Sequence, residues 1–274
     1  MAIPKILYHY CSLTSLMAIL ETRVIRLSSV LHMNDSKELR WFLDLATEYV
    51  HKNHSAKSAE RWAKVFEDWR HSFVYCFCFS RLRDSLSQWR AYADDGHGVA
   101  IGFDSTFTWS DRKPHYSLFG ANDPPFQLQP VSYDVTQHKA RIDGLLKKQD
   151  WWNEDRFKPG SLLFRAVTMP ILQQAVISKN PAFKEEKEWR LIHSEDAEAI
   201  ASSFYGPVEV CAKGKMLVPF IPYMFRLADR EKPAIAELVL GPKVSFETEH
   251  TLRLWFKGRS YPMPKITRSN ASYR

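Results

Sequence analysis

The sequence predicts an α+β fold with a mixed or antiparallel sheet flanked by helices. Strand-like and helix-like stretches are interspersed without the regular rhythm of a parallel βαβ protein, and the sequence contains no internal repeat. The composition is 45% hydrophobic and 25% charged, which is typical of a folded globular chain. With 274 residues, we expect a single domain over residues 1–274.

The first elements are a short strand, a helix and a second strand. Residues 6–8 form an apolar strand pattern that leads into His9 and Tyr10. Apolar residues at helical spacing predict a helix over residues 13–20, and residues 24–28 return to a strand pattern. Two amphipathic helices then predict a helical insertion at about 34–72.

The middle of the chain contains the best candidate for a central strand. Residues 73–79 are almost continuously apolar, which is typical of a strand buried on both faces. The strand ends at Ser80 and Arg81, and polar residues at the end of a central strand are well placed for a site. A short helix with Trp89 and Tyr92 follows.

The second half of the chain continues as a mixture of helices and strands. Residues 98–103 predict a strand, and the turn-rich, aromatic stretch at about 109–127 predicts a mobile loop. A helix over 161–178 that Pro170 kinks precedes a strand over 188–192. A hairpin over 208–220 and a strand over 234–240 complete the pattern.

Charge and cysteine usage indicate the kind of partner and compartment. The formal net charge of +7 favours anionic partners, although a solvated basic surface would produce the same sum. The four cysteines are too few and too irregularly spaced for a disulfide scaffold, so we expect a reduced, cytoplasmic protein. The longest apolar run has ten residues, so we expect no membrane span and no signal peptide.

Several enzyme classes are excluded because their motifs are missing. The sequence has no G-x-G-x-x-G, no phosphate-binding P-loop, no G-x-S-x-G and no H-E-x-x-H. It also has no second cluster of metal ligands, so we expect no metal cofactor. A phosphodiesterase or nuclease is the weakest alternative for the same reason.

The densest functional pattern is the acidic turn at residues 184–190. If the strand begins by Glu186, alternation places Glu186 and Glu188 on one face, with Arg190 behind them. Two carboxylates resist burial together unless a cation lies between them, such as a lysine, an arginine or a positively charged reaction centre. The pair suits cleavage of a glycosidic bond through an oxocarbenium-like cation. The alternative is a solvated turn balanced by Lys184 and Lys187.

Single residues elsewhere allow two interpretations each. His9 is able to donate a hydrogen bond to a ribose hydroxyl or a carboxamide, or it is an ordinary structural histidine. Ser80, Trp89 and Tyr92 are able to line a site for a flat ring, or they are core and cap residues.

The order of these motifs resembles a mostly bacterial family of unknown function. That family is in turn similar to the ADP-ribosyltransferase superfamily, which uses NAD and has a split, mixed sheet flanked by helices. The resemblance covers nearly the whole chain, and its most specific parts are Glu186-x-Glu188-Trp-Arg and Trp89-x-x-Tyr92. Further motifs that carry it are Leu7-Tyr-His9-Tyr-Cys11, Asn34-Asp35, Cys78-Phe-Ser80, Gly98-Val-Ala-Ile-Gly-Phe103 and Leu238-Val-Leu-Gly-Pro242.

The resemblance implies a role for several of these residues. His9 resembles a first-strand histidine that contacts the adenosine ribose or the nicotinamide amide. Glu188 resembles the glutamate that bonds the nicotinamide ribose and stabilises the developing cation. Glu186 resembles the first glutamate of an E-x-E pair, which orients or activates the acceptor. The resemblance also implies a middle motif, in which a serine or tyrosine supports or stacks on nicotinamide. Ser80 or Tyr92 would take that position here, although the usual S-T-S triplet is absent.

The remaining cofactor-binding residues follow from the same resemblance. Tyr10 and Trp89 join the NAD-binding set, and the residues expected near the NAD diphosphate are Arg81, Arg90 and Arg190.

The resemblance implies an NAD-dependent mono-ADP-ribosyltransferase, acting as a toxin or antiphage defence effector. It further implies that NAD is the substrate and that we should expect a nucleic acid or a protein as the acceptor. The alternative is a non-catalytic module on the same fold that binds nucleic acid or a nucleotide. The enzyme hypothesis requires His9 and Glu188 to line one cleft.

Overall fold

A computed structural model of the protein describes most of the chain. The described residues are 2–32, 36–69, 73–105, 126–147, 162–195, 208–213, 215–225, 228–229, 232–259 and 261–273. The predicted mobile loop at about 109–127 lies outside them except for its last two residues.

The described part of the chain contains seven α-helices, distributed between the strands. They are α1 (Leu13–Thr22), α2 (Ser36–Asn53), α3 (Ala56–Trp69), α4 (Leu86–Tyr92), α5 (Val135–Leu146), α6 (Leu162–Val176) and α7 (Phe246–Lys257). A 3₁₀ segment, Pro181–Glu186, directly precedes the sixth strand.

Twelve strands occur in the same described ranges. They are β1 (Ile6–Cys11), β2 (Val24–Ser29), β3 (Phe73–Ser80), β4 (Val99–Asp104), β5 (Gln127–Pro130), β6 (Glu188–Glu195), β7 (Glu209–Lys213), β8 (Met216–Met224), β9 (Ala228–Asp229), β10 (Lys232–Pro233), β11 (Ile235–Leu240) and β12 (Lys265–Arg268).

The predicted elements agree with these bounds. The helical insertion at about 34–72 consists of α2 and α3, and the helix over 161–178 is α6 with Pro170 inside it. The hairpin over 208–220 is β7 and β8. The predicted α+β class with a largely antiparallel sheet is confirmed, because β11 and β12 form the one parallel pair among the described strands of the sheet.

Ten of the strands form one open sheet. Eight of them follow the order β12-β11-β4-β1-β3-β2-β8-β7, while β6 pairs with β3 and β5 pairs with β6. The strands β9 and β10 form a separate two-stranded pair.

The sheet divides at β3. One edge of β3 pairs with β6 over its whole length, from Phe73 opposite Glu195 to Ser80 opposite Glu188. The other edge therefore carries two strands, because β1 meets it at Ser80 and β2 meets it at Cys76. The chain thus has two arms of sheet that diverge from one central strand.

Both faces of β3 are covered, as its apolar sequence predicts. Tyr75, Phe77 and Phe79 project from one side, here called the aromatic face, and join a core with residues of α1 and α7. The polar face is the opposite side, which carries Cys76, Cys78 and Ser80. Over this polar face, Cys76 packs in a second core built from α2, α3, α5 and α6. Strand alternation produces this separation.

Short polar side chains define where several helices begin. Ser12 accepts a hydrogen bond from the Ser15 amide at the start of α1, and Asp134 accepts from the amides at the start of α5. The side chain of Asn180 accepts from the Ala182 amide and begins the 3₁₀ segment. These caps pair amides that have no partner inside the helix.

We expect two glycine-to-alanine changes to have opposite effects on stability. A Cβ atom at Gly98 would lie 2.2 Å from the carbonyl oxygen of Cys11 and 2.9 Å from that of Ala93, so G98A should lower the free energy of unfolding by about 1–3 kcal/mol. A Cβ atom at Gly144, inside α5, has nothing within 4 Å. G144A should therefore raise the free energy of unfolding by about 0.5–1 kcal/mol. Urea unfolding measures both, and changes of equal sign would contradict this account.

Candidate functional site

The candidate site lies where β3 ends and β6 begins. Ser80 is the last residue of β3, and Glu188 is the residue opposite it on β6. The hydroxyl of Ser80 donates to the Glu186 carbonyl at 2.7 Å, and the amide of Arg81 donates to the Lys187 carbonyl at 3.0 Å. Lys187 has a left-handed backbone with φ of 47°. These contacts hold the turn that carries Glu186 against the end of the central strand.

A buried lysine joins the two glutamates. Lys179 Nζ lies 2.5 Å from Glu186 Oε2 and 3.2 Å from Glu188 Oε2, and the residue is only 2% exposed. Its backbone amide donates to the Ser132 carbonyl at 2.9 Å, which fixes the segment that follows α6. The cation that the paired carboxylates require is therefore Lys179, a residue that the sequence analysis did not single out.

Arg190 holds Glu188 from the other side. Its Nε lies 2.7 Å from Glu188 Oε1, and its Nη2 lies 3.1 Å from Glu188 Oε2. Its Nη1 donates to the Val176 carbonyl at the end of α6, at 2.7 Å. Arg190 is 2% exposed, so this pair is well shielded from water.

The four charged groups form what we call the charge cluster: Lys179, Glu186, Glu188 and Arg190. Its two cations and two anions sum to zero. This balance is a condition for burial, because an unpaired charge in a protein interior costs several kcal/mol.

The two carboxyl groups differ in how easily they ionise. Burial alone would raise the pKa of Glu188, but Arg190 and Lys179 outweigh burial and lower that pKa to about 2. Burial raises the pKa of Glu186, and the hydrogen bond from Lys179 opposes the rise only in part. Glu188 is thus the more firmly ionised of the pair.

Two tyrosines complete the surroundings of the charge cluster. The Tyr92 hydroxyl donates to Glu186 Oε1 at 3.1 Å, and the residue is 40% exposed. The Tyr133 hydroxyl accepts from the Glu188 amide at 3.1 Å. Burial raises the pKa of both tyrosines. Tyr92 therefore links the buried carboxylates to the protein surface.

A comparison with protein families covers this part of the chain. A family model described as a protein of unknown function, DUF2971, matches a segment that contains the whole charge cluster. Residues 88–191 match DUF2971. The expected resemblance to a family of unknown function is confirmed over these residues. A search of curated proteins found no match, and a search of solved structures found none either.

The structure brings together most of the predicted site residues. Glu186, Glu188, Arg190 and Tyr92 all lie in the DUF2971 segment and share direct contacts or the bridge through Lys179. Ser80 lies just outside the segment and bonds to its Glu186 carbonyl. Arg190 is a partner of Glu188 rather than a free contact for a diphosphate, so its predicted role is wrong.

His9 is not part of this group. Its ring lies 4.1 Å from the Phe77 ring, centroid to centroid, and Phe77 projects from the aromatic face. Its Nδ1 lies 2.9 Å from the carbonyl oxygen of Cys78. Glu188 is in register with Ser80 and projects from the polar face. The predicted cleft shared by His9 and Glu188 is therefore wrong, because alternation along β1 turns His9 to the other side of the sheet.

Trp89 and Tyr10 are buried and pack against each other. Trp89 is 0% exposed, and its indole donates to Asp84 at 2.7 Å. The Tyr10 ring contacts the Trp89 ring edge-on at 4.7 Å, while its hydroxyl donates to the Leu82 carbonyl. Neither ring offers an open face to a ligand, which contradicts their predicted place among the NAD-binding residues. Both residues instead anchor the loop that follows β3.

A row of residues crosses the polar face in register. The row joins five strands through Glu237, Gly102, Tyr8, Ser80 and Glu188. Its far end is a second ion pair, in which Arg83 Nε lies 2.9 Å from Glu237. The Tyr8 hydroxyl donates to the same carboxylate at 3.1 Å. Burial, and to a lesser extent the negative charge of Glu237, raises the pKa of Tyr8 to about 12. Tyr8, rather than His9, is the β1 residue on the face of Glu188.

Two further features concern metals and membranes. Within the described ranges, no three His, Cys, Asp or Glu side chains meet in a way that would hold a metal ion. None of the helices in those ranges is long and apolar enough to cross a membrane.

We expect Glu188 to make folding stability depend on acid pH. Its pKa is about 2 in the folded protein and about 4.3 in an unfolded chain, so its contribution is complete above about pH 4.3 and disappears as the pH falls toward 2. The difference in free energy of unfolding between the wild type and E188Q should therefore narrow by about 1–2 kcal/mol between pH 7 and pH 3. Urea unfolding at several pH values measures it.

The control replaces the whole ion pair. E188Q alone leaves Arg190 without its carboxylate partner and should cost about 3–5 kcal/mol at pH 7, whereas E188Q/R190M removes one charge of each sign and should cost much less. A pH-independent difference between the wild type and E188Q would show that Glu188 has an ordinary pKa in the folded state.

Proposed function

We propose that this protein is an NAD-dependent mono-ADP-ribosyltransferase, in a revised form that gives His9 no role in catalysis, because His9 and Glu188 project from opposite faces of the sheet. It breaks the bond between nicotinamide and ribose and transfers ADP-ribose to a nucleic acid or a protein. The observation that carries the proposal is the pair of carboxylates, Glu186 and Glu188, that Lys179 bridges at the start of β6. A preorganised anion beside the reacting sugar stabilises an oxocarbenium-like transition state.

The reaction requires no general acid from the protein. The bond from the ribose C1′ atom to the nicotinamide nitrogen breaks, and nicotinamide leaves as a neutral ring with the bonding electrons. An acceptor lone pair then forms the new bond to C1′, and the acceptor proton passes to water. Because the leaving group needs no proton, positioning and one suitably placed anion are sufficient.

The sheet and its surface charges support the same proposal. The sheet divides at β3, next to the charge cluster, and the ADP-ribosyltransferase superfamily that the sequence resembles has a split sheet. Arg81 and Arg90 are exposed and lie close in sequence to Ser80 and Tyr92. Arg81 and Arg90 are therefore the remaining candidates to contact the NAD diphosphate. The net charge of +7 favours the same anionic ligand.

The biological setting is part of the proposal. All four cysteines are free thiols, which suits the reducing cytoplasm. There, consumption of NAD or modification of a nucleic acid suits a toxin or an antiphage defence effector.

A non-catalytic binding module is the second candidate. The observation that favours it is the neutrality of the charge cluster, since Glu188 is already paired with Arg190 and Lys179. A balanced cluster of this kind is able to specify a fold without any chemistry. In that case the basic surface binds nucleic acid, and the affinity falls steeply as the salt concentration rises.

The decisive experiment measures nicotinamide released from NAD by the purified chain. We expect release by the wild type and at least a 100-fold lower rate for a variant with an uncharged cluster, K179M/E186Q/E188Q/R190M. This variant removes two charges of each sign and leaves no buried charge unpaired, so we expect it to fold. Circular dichroism and the unfolding midpoint confirm its structure.

Two results would reject the enzyme. One is a rate for the wild type no higher than that of buffer, and the other is equal release by the uncharged variant. Salt-sensitive binding of a nucleic acid with no release of nicotinamide would establish the second candidate instead.

A further inference from the structure

The two carboxylates of the charge cluster are not equivalent. We infer that Glu186 is the carboxylate that touches the substrate, that Lys179 positions it, and that the Glu188–Arg190 pair supports both from behind. This inference rests on the proposed function. It assigns the roles within the pair differently from the sequence resemblance, which implies that Glu188 meets the ribose.

The Glu188 carboxylate already accepts three hydrogen bonds from two buried cations. A carboxylate offers about four lone-pair positions for hydrogen bonds. Glu188 accepts from Arg190 Nε at Oε1, and it accepts from Arg190 Nη2 and Lys179 Nζ at Oε2. A ribose hydroxyl would therefore have to compete with these donors inside a buried ion pair.

Glu186 retains acceptor capacity. Among the described residues, its Oε1 accepts from the Tyr92 hydroxyl and its Oε2 accepts from Lys179. Two of its four lone-pair positions thus receive no donor from the described residues, which leaves them for a ligand in our proposal. Glu186 also lies in the turn before β6 rather than within the sheet, because it ends the 3₁₀ segment Pro181–Glu186.

The surface lies on the Glu186 side of the charge cluster. Tyr92, which contacts Glu186, is 40% exposed, and Phe183 is 36% exposed. The Phe183 ring centroid lies 4.8 Å from Lys179 Nζ. Two partly exposed aromatic rings thus flank the Lys179–Glu186 pair. The Glu188 side is closed by the buried Arg190 and by the end of α6.

Lys179 has a positioning role in this arrangement. It fixes Glu186 Oε2 at 2.5 Å and leaves Oε1 for Tyr92 and the ligand. The groups that face Glu186 from the described elements around it are Lys179, Tyr92, Glu188 and Tyr133. Lys179 is the cation among them, and it offsets part of the rise that burial and Glu188 cause in the pKa of Glu186.

The charge cluster divides into two neutral halves, which makes the inference testable. E186Q/K179M removes one charge of each sign, and E188Q/R190M does the same, so neither variant leaves a net buried charge. We expect the rate of nicotinamide release to fall at least 100-fold in E186Q/K179M. In E188Q/R190M we expect a loss at least 10-fold smaller. A larger loss in E188Q/R190M, or equal losses, would overturn the inference while the enzyme stands.

A second measurement observes the wild type directly and uses a variant only to assign a signal. In the wild type labelled with ¹³C-glutamate, added NAD should shift the Glu186 carboxyl signal, which the spectrum of E186Q identifies. The Glu188 signal should move less, and the reverse order would overturn the inference. If the wild type neither binds nor cleaves NAD, the proposed function and this inference fail together.

The positioning role of Lys179 has its own readout. In K179M, loss of the cation should raise the pKa of Glu186 further, so the acid limb of the pH–rate profile should move up by about one unit or more. A residue that only fills space would leave this limb in place. An unchanged acid limb in a folded K179M protein would therefore remove Lys179 from the mechanism.

Discussion

The buried lysine between two glutamates is the interaction on which the rest of this site depends. Lys179 reaches Glu186 and Glu188 from the segment after α6, while Arg190 ties Glu188 to the last turn of the same helix. Four charges that sum to zero are thus buried at one end of the central strands. Neither carboxylate would remain there as an anion without its cation.

This constraint also makes the site rigid. Each charged side chain reaches at least one other through a hydrogen bond, and the backbone of the turn is held by Ser80 and by the amide of Arg81. Movement of α6 or of the turn before β6 would separate buried charges. Such a group is able to hold a reacting atom in place, because the cost of ordering it has been met during folding.

Agreement between sequence and structure is closest where local patterns decide the outcome. The apolar run of residues 73–79 predicts a strand buried on both sides, and β3 carries aromatic residues on one face and cysteines on the other. The pair of Glu186 and Glu188 also predicts that a cation lies between them. The predictions for His9, Trp89 and Arg190 fail because each depends on which face a side chain takes or on what it meets across the fold.

The sequence by itself determined the class of the fold, most of its elements and the acidic turn that carries the site, because hydrophobic period, caps and charge spacing are local properties. Only the tertiary structure decided that Lys179 bridges the glutamates and that His9 points away from them. The alignment of β1, β3 and β6 joins residues far apart in the chain, and a shift of one residue would turn every side chain to the opposite face.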